Sequence, residues 1–98
     1  MKPADYLLLC LGEEGSELAQ AVSKVLRFTP DDSAVIHGLT NMERLIMEYN
    51  DVLAVVEMLK EYGVDIPRAQ TLIDHKKERL ATYMRYSERL GVVDVSVN

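Results

Sequence analysis

A chain of 98 residues with 48% apolar side chains, a formal net charge of −5 and one cysteine fits a single small domain. The negative balance excludes a general nucleic-acid binder, and the lone Cys10 excludes an intrachain disulfide. No stretch approaches the roughly 20 apolar residues of a membrane span, and the N-terminus, with Asp5, lacks a signal-peptide pattern, so a soluble cytoplasmic protein is expected.

The first helix is expected from about Pro3 to Phe28. Proline suits a first helical turn, and Leu7, Leu8, Leu11, Leu18, Val22, Val25 and Leu26 follow the spacing of one helical face. Cys10 falls in its Leu-rich run and reads as an inert core thiol. Gly12 and Gly15 each cost up to about 1 kcal/mol against alanine, which allows a break or kink near Gly12. A glycine there also lets another backbone or a bound ligand come close.

Thr29-Pro30-Asp31-Asp32 ends that helix, and residues 29–40 read as a loop with a turn at Gly38. Thr40 followed by Glu43 makes a capping box for a second helix from Asn41 to about Tyr62. Leu45, Ile46, Met47, Val52, Leu53, Val55, Val56, Met58 and Leu59 spread beyond one narrow stripe, so this helix is expected to be buried against several neighbours. Gly63 suits the position just past its end. The third helix is expected from about Arg68 to Leu90, with Gly91 as its stop and Leu72, Ile73, Leu80, Tyr83, Met84 and Leu90 as its apolar positions. Residues 92–98 alternate valine with polar residues and read as a frayed tail or a pairing strand. The fold expected is a compact all-α bundle of three main helices over residues 1–91. A domain this small buries little surface per residue, so completion by self-association is expected, as a homodimer or homotetramer.

Charge is unevenly spread. Residues 1–67 carry 12 acidic and 5 basic side chains, a net of −7, whereas residues 68–90 carry 6 basic and 3 acidic, a net of +3. An acidic body with one basic helix can hold a cation and a polyphosphate together. The plain alternative is ordinary solvated charge.

The acids are patterned. Glu14 and Glu17 stand three apart, with Glu13 beside them, and Glu48 and Asp51 repeat the spacing in the most apolar helix. Three-apart residues share a helix face. Such carboxylates repel one another unless a hard divalent cation with a taste for oxygen, Mg²⁺ or Mn²⁺, sits among them. Bases at helical spacing are few: Arg44 precedes Glu48 by four residues, and Glu14 has none. Two solvated helix faces remain the competing reading.

The segments EEGSELAQAVSK and NMERLIMEYNDVLAVVEML, within about residues 7–62, resemble the MazG-like all-α nucleoside triphosphate pyrophosphohydrolases, whose signature is E-E-x-x-E on one helix and E-x-x-D on the next. The resemblance implies Mg²⁺-dependent hydrolysis of a nucleoside triphosphate to the monophosphate and pyrophosphate, through attack of a cation-bound water at the α-phosphorus. It implies that Glu14, Glu17, Glu48 and Asp51 hold the Mg²⁺, with Mn²⁺ as a substitute. Catalysis falls to Glu14 and Glu13, the latter as a further ligand or as the residue orienting the water. It also implies phosphate contacts from basic residues: Lys24, two turns after Glu17, Arg27 at the edge of that face, and Lys76, Lys77 and Arg79 on the third helix. Each of these bases also reads as a plain surface charge.

Tyr49, Tyr83 and Tyr86 can stack on a nucleobase, but core packing is the expected role of each. His37 and His75 have no partner at zinc spacing and receive no role. Two other classes of function fit the same residues: a Mg²⁺- and nucleotide-binding sensor without turnover, and a helical interaction module without a ligand.

Overall fold

Residues 1–33 and 38–97 are described by the structure, a computed structural model. Three α-helices follow one another: α1 (Pro3–Phe28), α2 (Asn41–Glu61) and α3 (Gln70–Arg89). No strand occurs among the described residues, and the all-α class expected from the periodicity is the one adopted. His37 lies outside the described residues. The chain divides into two compact units, Met1–Ile66 with α1 and α2, and Pro67–Asn98 with α3. No helix among the described residues is long and apolar enough to cross a membrane.

Pro3 opens α1, where its missing N–H forfeits no helical bond. The helix then runs unbroken through Gly12 and Gly15 to Phe28, so the glycines do not break it. Among the described residues, apart from the backbone of α1 itself, nothing lies within 4 Å of the place a Cβ would occupy at either glycine, so neither serves a close approach within the chain. Thr29 ends α1 in the left-handed region, with φ 74°, and Pro30 prevents its continuation.

The start of α2 is tied down at every early donor. The Glu43 N–H donates to Thr40 Oγ1 at 3.1 Å, and the Thr40 N–H donates to Glu43 Oε1 at 3.1 Å, completing the capping box read from the sequence. The backbone N–H groups of Asn41 and Met42, which a first turn leaves without helical partners, donate to the carbonyls of Asp32 at 2.9 Å and Pro30 at 3.0 Å. The buried Asn41 side chain donates through Nδ2 to the Thr29 carbonyl at 2.9 Å. The end of α1 is thereby fastened to the beginning of α2.

Both helix ends at Gly63 and Gly91 follow the same rule. Gly63, at φ 89°, donates to the Lys60 carbonyl, while Val64 donates to that of Leu59. Gly91, at φ 78°, donates to Glu88, and Val92 to Ser87. These paired bonds satisfy carbonyls that a helix C-terminus otherwise leaves open, and the positive φ favours glycine.

Later residues of α1 meet earlier residues of α2. Thr29 is bonded to Asn41, Lys24 and Ala21 share a cleft with Arg44, and Glu14 feels the charge of Asp51. The two helices therefore run antiparallel. Among the described residues their seam buries Leu7, Ala21 and Leu59, together with the polar Asn41 and Glu48. The burial of α2 against several neighbours, expected from its broad apolar surface, is not found: Ile46, Met47, Leu53 and Met58 are all more than a third exposed. Among the described residues of its unit α2 has α1 as its only helical partner, and one helix covers one stripe.

In the second unit α3 buries no residue, and Leu72, Leu80, Tyr83, Met84 and Leu90 are exposed. Residues 92–97 form neither a strand nor a helix. A turn there is held by Ser96, whose N–H and Oγ–H donate to Asp94 Oδ1 at 3.0 Å and 2.6 Å.

The capping box makes a prediction. Thr40→Ala should cost about 1 kcal/mol, the usual value of a lost N-cap, read as a lower urea midpoint at unchanged slope. The Thr40 N–H and then its hydroxyl hold the Glu43 carboxyl below the usual glutamate range. A depressed folded pKa contributes stability above the unfolded value and loses it as pH falls through the folded one. The gap between wild type and variant should therefore narrow in acid. An unchanged midpoint at neutral pH would mean that the box contributes nothing.

Candidate metal centre

α1 and α2 each deliver carboxylates to their shared seam. On α1 the three-residue spacing puts Glu14 and Glu17 on one face, and on α2 Glu48 falls on the side turned to them. One carboxylate oxygen from each of Glu14, Glu17 and Glu48 lies within 4.8 Å of the others. Glu17 is exposed, Glu14 is half-buried, and Glu48 is 2% exposed.

Burial leaves two of these oxygens without a partner. Among the described residues Glu14 Oε2 and Glu48 Oε2 are shut away from solvent and accept no hydrogen bond. Leaving a buried acceptor unpaired costs roughly 1–3 kcal/mol, and more for a charged group. The other oxygen of Glu48 accepts from Arg44 Nε at 3.0 Å, one turn earlier on the same helix. This pair is the one that the four-residue spacing offers.

Glu14 records the crowding. Burial first, then the like charges of Glu17, Asp51 and Glu48, push its carboxyl above the usual glutamate range. Asp51 is thus close enough to act on Glu14, although it is not one of the three carboxylates that meet within 4.8 Å.

The trio fits a hard divalent cation. Its donors are all carboxylate oxygens, the set that suits Mg²⁺ or Mn²⁺ rather than a softer metal. Neighbouring ligands of octahedral Mg²⁺ stand about 3 Å apart and opposite ones about 4.2 Å, so an ion among these oxygens would draw the three carboxylates together. The two unpartnered buried oxygens are what such an ion would satisfy.

Beside the carboxylates lies a cleft of about 110 Å³ lined by Glu17, Gln20, Ala21, Lys24, Arg44 and Glu48. Ala21 is nearly fully buried, so its small side chain forms the floor where a larger one would fill the space. Lys24, one of the basic residues singled out by its spacing from Glu17, is brought here.

The other expected site residues are placed differently. Glu13 is exposed and does not belong to the trio. Arg27 is exposed, with its guanidinium 4.8 Å from the Phe28 ring centroid. Lys76, Lys77 and Arg79 are exposed on α3 in the second unit, where they line shallow depressions of their own helix. Tyr49, Tyr83 and Tyr86, expected in a core, are each more than half exposed, and Tyr86 faces the Arg89 guanidinium at 5.5 Å. Helical periodicity places an aromatic on a face but does not supply the neighbour that would bury it. Cys10 is half-buried rather than a core thiol. Asn41, read from sequence as an ordinary helix-start residue, is instead the buried pin between the helices, and only its position directly after a capping threonine hinted at that.

A raised folded pKa keeps the metal-free protein more stable while Glu14 is protonated, and that advantage is lost as pH rises through the folded value. Glu14→Gln should therefore stabilise the metal-free protein at neutral pH and flatten this part of its pH dependence. Mg²⁺ should raise the melting temperature of the wild type, by about 2.7 kcal/mol of linkage at a hundredfold excess over Kd, and should do little for the variant. Equal pH profiles and equal Mg²⁺ responses would show that the acids do not form a unit. No family model matches the chain, nor does any curated protein or solved structure.

Proposed function

We propose that this chain is a Mg²⁺-dependent hydrolase that cleaves a nucleoside triphosphate, ribo- or deoxyribo-, to the monophosphate and pyrophosphate. The observation that carries the reading is the meeting of Glu14, Glu17 and Glu48, two of them with a buried oxygen lacking any partner, beside a cleft that also holds Lys24 and Arg44. The likeness of the E-E-x-x-E and E-x-x-D segments to the MazG-like pyrophosphohydrolases supports it.

In this reading Glu14, Glu17 and Glu48 hold the cation, with Asp51 as the fourth acid of the set. Bound there, the cation would supply charge neutralisation for the phosphates and a more acidic water. The protein's own tasks are positioning and electrostatics. The antiparallel seam fixes the acids on two rigid helices rather than on loops. Lys24 binds and orients the phosphate chain in the cleft. In the same reading Glu14 would accept a proton from the attacking water, and the exposed Glu13 would orient that water from the rim.

The apolar side chains left open on all three helices, among them Leu9, Ile46, Leu72 and Tyr83, support a homodimer or homotetramer as the working form. The experiment is direct. Purified protein is sized in solution and incubated with Mg²⁺ and a panel of canonical and modified NTPs and dNTPs, and pyrophosphate is detected. The expected result is turnover by a dimer or larger species, reduced at least about a hundredfold in Glu48→Gln and in Asp51→Asn, as for loss of a transition-state charge contact. Turnover that survives both substitutions, or nucleotide binding without pyrophosphate, would overturn the assignment.

A further inference from the structure

Arg44 is engaged on one side only. Its Nε–H donates to Glu48 Oε1 at 3.0 Å, and among the described residues its side chain makes no other hydrogen bond. A guanidinium carries five N–H donors, so the four on its terminal nitrogens are left for something else. Its side chain is 32% exposed and lines the same small cleft as Lys24, Glu17 and Glu48.

Glu48 needs what Arg44 gives. Its side chain is 3% exposed, with one oxygen held by Arg44 and the other open. A carboxylate ligand bonded through one oxygen presents the other in a fixed direction, and the partner that does this for a metal ligand tunes its affinity. The bond spans one helical turn, so it depends on no loop.

Charge supplies the second half of the argument. Four carboxylates at this seam attract a cation but repel a polyphosphate. Of the residues lining the cleft, only Lys24 and Arg44 are cationic. A planar guanidinium matches two phosphate oxygens at once, which an ammonium does not.

We propose that Arg44 is a two-sided residue of this centre: its Nε–H fixes one oxygen of Glu48 for cation binding, and its terminal amino groups take phosphate oxygens of the substrate in the cleft shared with Lys24. This rests on the triphosphate reading given above. Arg44 is accordingly a positioning residue toward the cation and a binding residue toward the phosphates.

The test compares wild type with Arg44→Lys and Arg44→Met by calorimetry, with Mg²⁺ alone and then with inorganic pyrophosphate at saturating Mg²⁺, alongside KM and kcat for the triphosphate. Arg44→Lys keeps a positive charge opposite Glu48 and is the variant whose fold is safest. It should bind Mg²⁺ about tenfold more weakly, as for loss of an orienting partner. It should also weaken pyrophosphate binding and raise KM by a similar factor, with a smaller change in kcat. Arg44→Met should exceed it on every count. If Arg44→Lys matches wild type for both Mg²⁺ and pyrophosphate, or if kcat alone falls, Arg44 is an ordinary ion-pair partner and the assignment is wrong. A wild type that takes up neither Mg²⁺ nor pyrophosphate would overturn the triphosphate reading together with Arg44. A wild type that binds and cleaves while the Arg44 variants equal it would overturn Arg44 alone.

Discussion

Glu48 is a carboxylate almost wholly removed from water in a seam that has little else to bury. Only three apolar side chains share that burial among the described residues, so the α1–α2 contact is not organised chiefly around a hydrophobic core. Burying an acid is unfavourable unless it is paired, and here Arg44 satisfies one oxygen and leaves the other open. Glu14 and Glu17 then add like charge where the fold already bears a cost. Stability alone would favour a leucine or methionine at position 48. The acid makes sense as the reserved half of a binding site, with its deficit made good by a cation.

The remaining features of the first unit serve that arrangement. Asn41 ties the end of α1 to the start of α2, and the capping box fixes where α2 begins. Those two devices set the register of the antiparallel pair. With register fixed, Arg44 and Glu48, in the second and third turns of α2, fall opposite Lys24, Ala21 and Glu17 of α1. Ala21 keeps the helices close and the cleft open. A shift of one residue in either helix would rotate the side chains by about 100° and disperse the acids, because a helix turns once in 3.6 residues.

Much of this was legible in the residues themselves. Pro3, the Thr40–Glu43 box, Gly63 and Gly91 act through their own backbone geometry, so the helix boundaries followed from local chemistry. The three-residue spacing of Glu14 and Glu17 and the four-residue spacing of Arg44 and Glu48 likewise needed only a helix. What escaped were relations between elements. The apolar positions of α2 and α3 show which faces favour burial, but periodicity does not say what covers them, and many are open here. Tyr49, Tyr83 and Tyr86 were misplaced for that reason. The break that Gly12 and Gly15 allow does not form, because a glycine weakens a helix without ending it. Asn41 was missed because its partner, the Thr29 carbonyl, stands across a loop that no helical spacing describes.

The central claim is that Glu14, Glu17 and Glu48 form one divalent-cation site. Crystals grown with Mn²⁺ and measured at the manganese absorption edge test it most directly, since the anomalous signal locates the ion without reference to activity. The account predicts a peak in contact with carboxylate oxygens of Glu14, Glu17 and Glu48, absent from crystals of Glu48→Gln grown in the same way. Manganese found only on exposed surface acids, with Glu48 Oε2 as buried and unpartnered as before, would contradict it.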